Sequence, residues 1–416
     1  MLGLLVCTLS AVTVTAQQGD PMVERARRLL REVPVFDGHN DYPWQVRELA
    51  KGDVSALDLR EPQPKLHTDF ARLAKGGVGA QFWSVYVPST LQGTTAVSAT
   101  LEQIDIVHRM VARYPDRLEL ALTAADVERI QKSGKIASLI GMEGGHSIDG
   151  SLGALRMMYR LGARYMTLTH SLNVPWADSA TDTPAHSGLT PFGEDVVREM
   201  NRLGMLVDLS HVSPDTMADA LRVSQAPVFF SHSSAKALAN VPRNVPDDIL
   251  AQLPKNGGVI MVTFVPGFIS QEVADYNARE NIERARLTAI AGNTPEGVTR
   301  GVEVWRAANP APRATIIQVA DHIDHIRKVA GIDHIGLGGD FDGITQVILG
   351  LEDVSTYPDL IAELLRRGYS DADVEKILGL NVLRAMRSAE RVAAKLQAAR
   401  GPSTATLEGL DGKKAE

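Results

Sequence analysis

Apolar residues fall along this chain in two alternating patterns. Eight short runs are almost continuously apolar: 33–39 ("VPVFDGH"), 78–87 ("VGAQFWSVYV"), 136–143 ("IASLIGME"), 163–170 ("ARYMTLTH"), 204–211 ("GMLVDLSH"), 226–232 ("APVFFSH"), 257–264 ("GGVIMVTF") and 334–340 ("HIGLGGD"). A parallel strand covered on both faces needs that continuity, whereas a half-exposed strand would alternate. Between the runs, segments 100–115, 151–162, 190–204, 213–224, 247–257 and 316–331 space their apolar residues three and four apart, the period of a helix with one buried face. Thr190, Ser213 and Asp247 stand where N-caps belong, and Gly162, Gly204 and Gly331 where helices close. Eight β units alternating with helices predict an α/β protein of the (β/α)8 TIM-barrel class, with a doubly wound open sheet as the competing arrangement.

Two stretches break the alternation. Segment 266–315, between the seventh and eighth strands, is longer than a simple connection and carries "NARENIERARL" followed by "NPAPRA". It is predicted to be an inserted helix with a mobile loop behind it. From 359 to 396 the pattern predicts two or three helices closing the bottom or side of the barrel. No internal repeat or linker calls for a second domain, so 17–400 is expected to be one barrel, preceded by a leader and followed by a polar tail at 401–416.

Composition narrows the function. The 43 basic residues are scattered and the net charge is −7, which leaves no basic stripe for nucleic acid. Residues 1–16, "MLGLLVCTLSAVTVTA", form an uncharged apolar run ending in Val14-Thr15-Ala16, the small-residue pattern of a signal-peptidase site, so the protein is expected to be exported to a periplasmic or extracellular space. The run lacks the basic opening of such a leader, as it would if translation began further upstream. The single cysteine, Cys7, lies within it, so disulfides are not expected in the mature chain. No later stretch has the roughly eighteen uninterrupted apolar residues of a spanning helix, and no membrane anchor is expected after cleavage.

The ends of the predicted strands carry the candidate chemistry. They supply His39 with Asp41 just beyond, then Glu143, His170, His211, His232 and Asp340. Barrel enzymes place their active sites where strands end and loops begin, because only there do side chains from several strands converge. Imidazole and carboxylate are ligands for zinc-like divalent ions. Three histidines with Asp41 and Glu143 are too many for one tetrahedral catalytic ion, whereas two ions sharing a carboxylate accommodate them. Glu143 then bridges, His39 and Asp41 complete one site, His211 and His232 the other, and a hydroxide is held between them. Asp340 is left as the acid/base for the nucleophilic water and the leaving amine. His170 is placed as a ligand, a substrate donor or a packing residue. The pair His322 and His325 has metal-like spacing, but its helix precedes the eighth strand and is expected to run past that strand's N-terminal end, so the pair is taken as structural.

Several longer motifs, "DGHNDYPW", "GVGAQFWSVYVP", "GMEGGHSIDGSLGALRMMYRLGARYMTLTHSLNVPWADS", "GLTPFGEDVVREMNRLGMLVDLSHVS", "PVFFSHSSAKALANVPRNVPDD" and "HIDHIRKVAGIDHIGLGGDFDG", closely resemble the membrane (renal) dipeptidase family of zinc peptidases. The resemblance runs from about residue 25 to 390. It implies a barrel of the metal-dependent hydrolase type with two Zn2+ per chain, hydrolysing dipeptides and often tolerating a D-residue at the C-terminal position. It implies that His39 and Asp41 bind the first zinc, that Glu143 bridges, and that His211 and His232 bind the second. It makes His170 a substrate contact for the oxyanion, Arg243 the partner of the substrate carboxylate and Asp340 the acid/base. Tyr86 is placed either in the pocket wall or in the core. A homodimer is also implied. The mammalian members' lipid anchor and disulfides are not expected here. A metal-dependent amidase for N-acyl amino acids would use the same metal residues, and a non-catalytic binding protein would have lost one of them.

Overall fold

The computed structural model describes residues 20–290 and 294–412; the expected leader 1–16, with Cys7, lies outside them. Among the described residues are nine parallel strands: β1 (Val35–Asn40), β2 (Val78–Tyr86), β3 (Leu118–Leu120), β4 (Ile136–Glu143), β5 (Ala163–Thr167), β6 (Leu206–Asp208), β7 (Val228–Ser233), β8 (Val259–Val262) and β9 (Ile335–Leu337). Neighbours run β2-β1-β9-β8-β7-β6-β5-β4, and β2 pairs with β4, so eight strands close into a ring. This is the predicted (β/α)8 barrel, and the closure excludes the open sheet. The ninth strand, β3, extends the N-terminal half of β4, whose C-terminal half pairs with β5. At three residues it is too short to show a period in sequence.

Alternate strand positions fill the barrel. Phe36, Phe82, Tyr165 and Phe229 come from four strands and meet ring to ring at 4.8–5.8 Å, with Leu139 and Met261 beside them. The Tyr165 ring fits only because position 141 is glycine: a Cβ on Gly141 would stand 2.1 Å from it. This aromatic plug floors the site above. A larger apolar layer, including Trp83, Ile140, Val207 and Ile260, joins the strands to the helices.

Several expectations change in detail. The predicted caps Thr190 and Ser213 do accept backbone N–H groups, from Gly193 and Thr216. Segment 247–257 is two short helices, Asp247–Leu250 and Leu253–Asn256, because Pro254 has no N–H to donate and its ring crowds the preceding turn. Asp247 is therefore not an N-cap; it lies in the first turn and meets His325 Nε2 at 2.8 Å. The insertion also differs from the expected helix and mobile loop. Helix Gln271–Thr288 is followed by a second, Pro295–Ala308, and Glu280 ties the two by accepting from Arg306 Nε and Nη2 at 2.8 and 2.6 Å. Helices Tyr357–Arg366, Asp371–Glu375 and Asn381–Ala399 account for the predicted C-terminal group. The segment expected to be a polar tail is docked as far as residue 412: Leu407 is buried, and Asp411 accepts from the Thr190 hydroxyl and the Phe192 N–H. Among the described residues, no helix is long and apolar enough to cross a membrane.

Candidate metal centre and active site

The C-terminal ends of the strands surround a cavity of about 440 Å³. Its lining includes Asp41, Tyr86, Glu143, His170, His211, His232, Arg243 and Asp340, with Trp44, Val265 and Phe268 as apolar wall. The structure brings every predicted site residue to this place; His39 lies just beneath, fully buried. The strands stop sooner than their apolar runs. β5 ends at Thr167, β6 at Asp208 and β9 at Leu337, so His170, His211 and Asp340 each stand three residues beyond a strand, on the loops. His211 and Asp340 hold φ of 70° and 59°, a left-handed conformation that costs a non-glycine residue about 1–3 kcal/mol and persists only where the surroundings enforce it.

The donor atoms fall into two sets, divided by the two oxygens of Glu143. Oε2 faces His39 Nε2 at 3.5 Å, and that nitrogen is 3.2 Å from Asp41 Oδ2. Oε1 faces His211 Nε2 at 3.0 Å and His232 Nε2 at 3.5 Å, and those nitrogens are 3.0 Å apart. Two nitrogens bound to one tetrahedral zinc stand roughly 3.3 Å apart, so each set has the spacing of ligands around a single ion. His39 Nε2 is buried and makes no hydrogen bond, as a metal-directed lone pair would be. Room is kept beside the carboxylates as well: a Cβ on Gly343 would come within 2.3 Å of Asp41 Oδ2 and 2.7 Å of Asp340 Oδ1.

The carboxylates around the site favour positive charge here. Burial alone would depress His39, but Tyr165, Glu143 and Asp41 around it prevail and push it well above the ordinary imidazole range. Burial would raise Glu143, yet His39 and the His211 ring hold it well below the usual carboxylate range. Burial, reinforced by neighbouring positive groups, keeps His211 and His232 well below theirs, as ligand lone pairs require. Burial pushes Asp340 well up; its Oδ1 lies 3.9 Å from His39 Nε2. The donor set therefore fits divalent metal.

Arg243 is the other charge in the cavity. It is buried, its guanidinium lies 5.2 Å from the Phe268 ring, and burial brings its pKa down to about 10. Nη1 and Nη2 reach Ser233 Oγ at 3.4 Å and the His232 carbonyl at 3.2 Å, while Nε has no partner. Among the described residues, no carboxylate comes within salt-bridge distance of it. A buried cation without a counter-ion is a receptor for an anion. His170 and Tyr86 face each other across the opening with ring centroids 5.0 Å apart, and Tyr86 meets Trp44 edge-on, so Tyr86 belongs to the pocket wall.

His322 is structural, as expected, but not for the reason its position in sequence suggests. It lies near the catalytic end, where Nδ1 accepts from the Ala235 N–H at 3.1 Å and Nε2 meets the Ile269 carbonyl at 3.0 Å. With both nitrogens engaged, it has no lone pair for an ion.

Sequence reading missed the groups that aim the candidate ligands. Asp37 accepts from the His39 and Gly339 N–H groups, both at 3.0 Å, and from the Tyr357 hydroxyl at 2.6 Å, joining the end of β1, with His39, to the loop of Asp340. His39 Nδ1 rests on the Tyr165 hydroxyl at 2.8 Å. Asp208 holds the residues around His211 and His232 in the same way. Each aspartate is a lone carboxylate in an apolar run two or three residues before a histidine, and a buried carboxylate must be satisfied. That signal is present in "VFDGH" and "LVDLSH".

Known proteins are similar to this chain in sequence and fold. The sequence pattern of the membrane dipeptidase family (peptidase family M19) matches residues 23–400. A dipeptidase of Clonostachys rogersoniana is 42% identical over 389 residues, 91% of this chain and 90% of that protein. Dipeptidase 3 of Mus musculus is 44% identical over 382 residues, 90% of this chain and 69% of that protein. The crystal structure of a probable dipeptidase from Pseudomonas aeruginosa superposes with a TM-score of 0.79 at 25% identity, covering 89% of this chain and 99% of that one.

Proposed function

The chain belongs to the membrane dipeptidase family of metal-dependent dipeptidases, and from that premise we propose that it is an exported enzyme that cleaves dipeptides with two zinc ions. The observation that carries the dinuclear reading is the division of Glu143: one oxygen serves His39 and Asp41, the other His211 and His232. The chemistry two divalent cations supply when bound is a nucleophilic water at neutral pH and a polarised scissile carbonyl.

The chain's own groups do the rest. Arg243 pairs with the C-terminal carboxylate of the substrate through its planar guanidinium and fixes the peptide bond over Glu143. Asp340 accepts the proton of the attacking water at a carboxylate oxygen and returns it to the amide nitrogen as the amine leaves. The Ser171 hydroxyl lies 3.2 Å from His170 Nδ1 and 2.8 Å from Ser89 Oγ; when it donates to the imidazole, Nε2–H is left to donate to the carbonyl oxygen as negative charge grows there. Trp44, Tyr86, Val265 and Phe268 shield the site and bound the side chains it admits.

The deciding experiment joins metal analysis to a dipeptide panel. Protein reconstituted with zinc is expected to hold close to two ions per chain and to release both amino acids from free dipeptides. One ion or none at saturation overturns the dinuclear reading, and turnover of N-acyl amino acids without turnover of dipeptides overturns the substrate. L-Ala-L-Ala against L-Ala-D-Ala decides whether a D-residue is accepted at the C-terminal position, which the family resemblance raises. Export rests on the apolar run 1–16. N-terminal sequencing of protein recovered outside the cytoplasm is expected to begin at Gln17, and recovery of an unprocessed chain in the cytoplasm overturns it.

A further inference from the structure

Asp208 has no place in the chemistry just described, yet it is a fully buried carboxylate at the end of β6 with four hydrogen-bond donors around it. Oδ1 accepts two backbone N–H groups, from Ser231 at 2.8 Å and Ser210 at 3.1 Å. Oδ2 accepts two hydroxyls, from Ser231 at 2.6 Å and Thr167 at 2.5 Å. Ser210 precedes His211, Ser231 precedes His232, and the Ser231 Oγ lies 2.9 Å from His232 Nδ1. One carboxylate thus ties β5, β6 and β7 together beneath the histidines of one metal set.

With Asp208 ionised, the order of protons along these hydrogen bonds is forced. The Ser231 hydroxyl has one hydrogen, and Asp208 Oδ2, which has none to offer, takes it. The Ser231 oxygen is then an acceptor toward His232, so Nδ1 carries the imidazole proton and Nε2 keeps a lone pair. Nε2 is the atom that faces Glu143 and His211. We propose that Asp208 is a positioning residue that acts through Ser231 to fix the tautomer of His232, and so determines whether the His211–His232 set can hold its ion. The inference rests on the metal reading above, but its test separates the two.

Asp208→Asn is isosteric and reverses the order. The two backbone N–H groups cannot change polarity, so the amide oxygen must occupy the Oδ1 position and the NH2 group must face the two hydroxyls. Thr167 adapts, since its hydroxyl already has the Met142 carbonyl at 3.3 Å as another acceptor. Ser231 accepts from the amide, turns its hydrogen toward His232 Nδ1 and leaves the ring proton on Nε2. Removing the hydroxyl as well, in Asp208→Asn/Ser231→Ala, abolishes the group that imposes the wrong tautomer.

Two measurements test this. In the metal-free protein, two-bond 15N–1H NMR of the His232 ring is expected to show the Nδ1–H tautomer in the wild type, Nε2–H in Asp208→Asn, and loss of that bias in the double variant. In zinc titrations against a chelator, Asp208→Asn is expected to weaken one ion by about 10- to 100-fold, and the double variant to bind it more tightly than Asp208→Asn does. A purely structural loss would make the double variant the worse of the two. The wild-type tautomer in Asp208→Asn, or a double variant no tighter than the single, overturns the proposal. The NMR reading requires no ion, so a wild type that binds only one overturns the dinuclear reading while leaving the tautomer test decisive. Should Asp208→Asn fail to fold, Ser231→Ala alone, which keeps the Asp208 backbone contacts, is expected to lose the Nδ1–H bias without reversing it, and a retained Nδ1–H bias there overturns the proposal.

Discussion

Replacing Asp340 by asparagine is expected to lower kcat by about 10²- to 10⁴-fold on every dipeptide that is cleaved, with metal content close to that of the wild type. Asparagine preserves shape and hydrogen bonding but can neither take a proton from water nor return one to an amine. The surroundings leave the Asp340 carboxylate free to carry that proton. Its nearest basic atom is His39 Nε2 at 3.9 Å, and among the described residues no side chain donates a hydrogen bond to it. Its backbone is held in place independently, by its N–H to the His39 carbonyl at 3.2 Å and by its carbonyl to the Gly343 N–H at 3.2 Å, so the substitution should not move the loop. The competing assignment is explicit in the geometry, because Asp340, His39 and His232 each present a donor atom to one common point. Kinetics and metal analysis on the same preparation decide between them. Loss of an ion together with activity makes Asp340 a ligand; loss of kcat alone makes it the proton carrier.

The fold and the candidate ligands are legible in sequence for one shared reason. A parallel barrel strand is apolar throughout, so a histidine or carboxylate at its end stands out, and six such ends on one face point to a site before any coordinate is known. The layers that aim those ligands are harder to see. Asp37 and Asp208 sit within runs that read as apolar strand, and their partners come from other strands or, for Tyr357, from a helix 320 residues away in the chain. Tyr165 looks like core in sequence, as most of it is; only its hydroxyl reaches His39. The ends of the strands differ from expectation by up to three residues, because an apolar run continues into a loop that is buried under the next layer. The insertion reads as partly mobile because its charges hide the apolar seam of Tyr276 and Trp305, whose rings meet at 5.2 Å between the two helices. Arg243, finally, lies in a loop beyond β7 and carries no local sign of its role: burial without an anionic partner is a property of the folded chain alone.

That property leads to the second large effect. Arg243→Ala is expected to reduce kcat/KM for free dipeptides by about 10²- to 10³-fold, most of it through KM, because a buried, charge-assisted pair is typically worth about 2–5 kcal/mol when one partner is removed. Dipeptides amidated at the C-terminus have no anion to offer and should lose far less, so the ratio between the two substrates is the informative quantity. Two features of the site sharpen the comparison. The guanidinium also reaches the His232 carbonyl and the Ser233 hydroxyl, so its removal could loosen a metal ligand, and that fault would depress both substrates alike and show in metal analysis. Deleting the side chain also leaves space against Phe268, where added guanidinium ion can enter and restore turnover of the free dipeptide. Equal losses on free and amidated substrates at full metal content would remove Arg243 from carboxylate recognition. Selective loss with guanidinium rescue would mean that this dipeptidase measures its substrate from the C-terminus, with Arg243 setting where the peptide bond falls over Glu143.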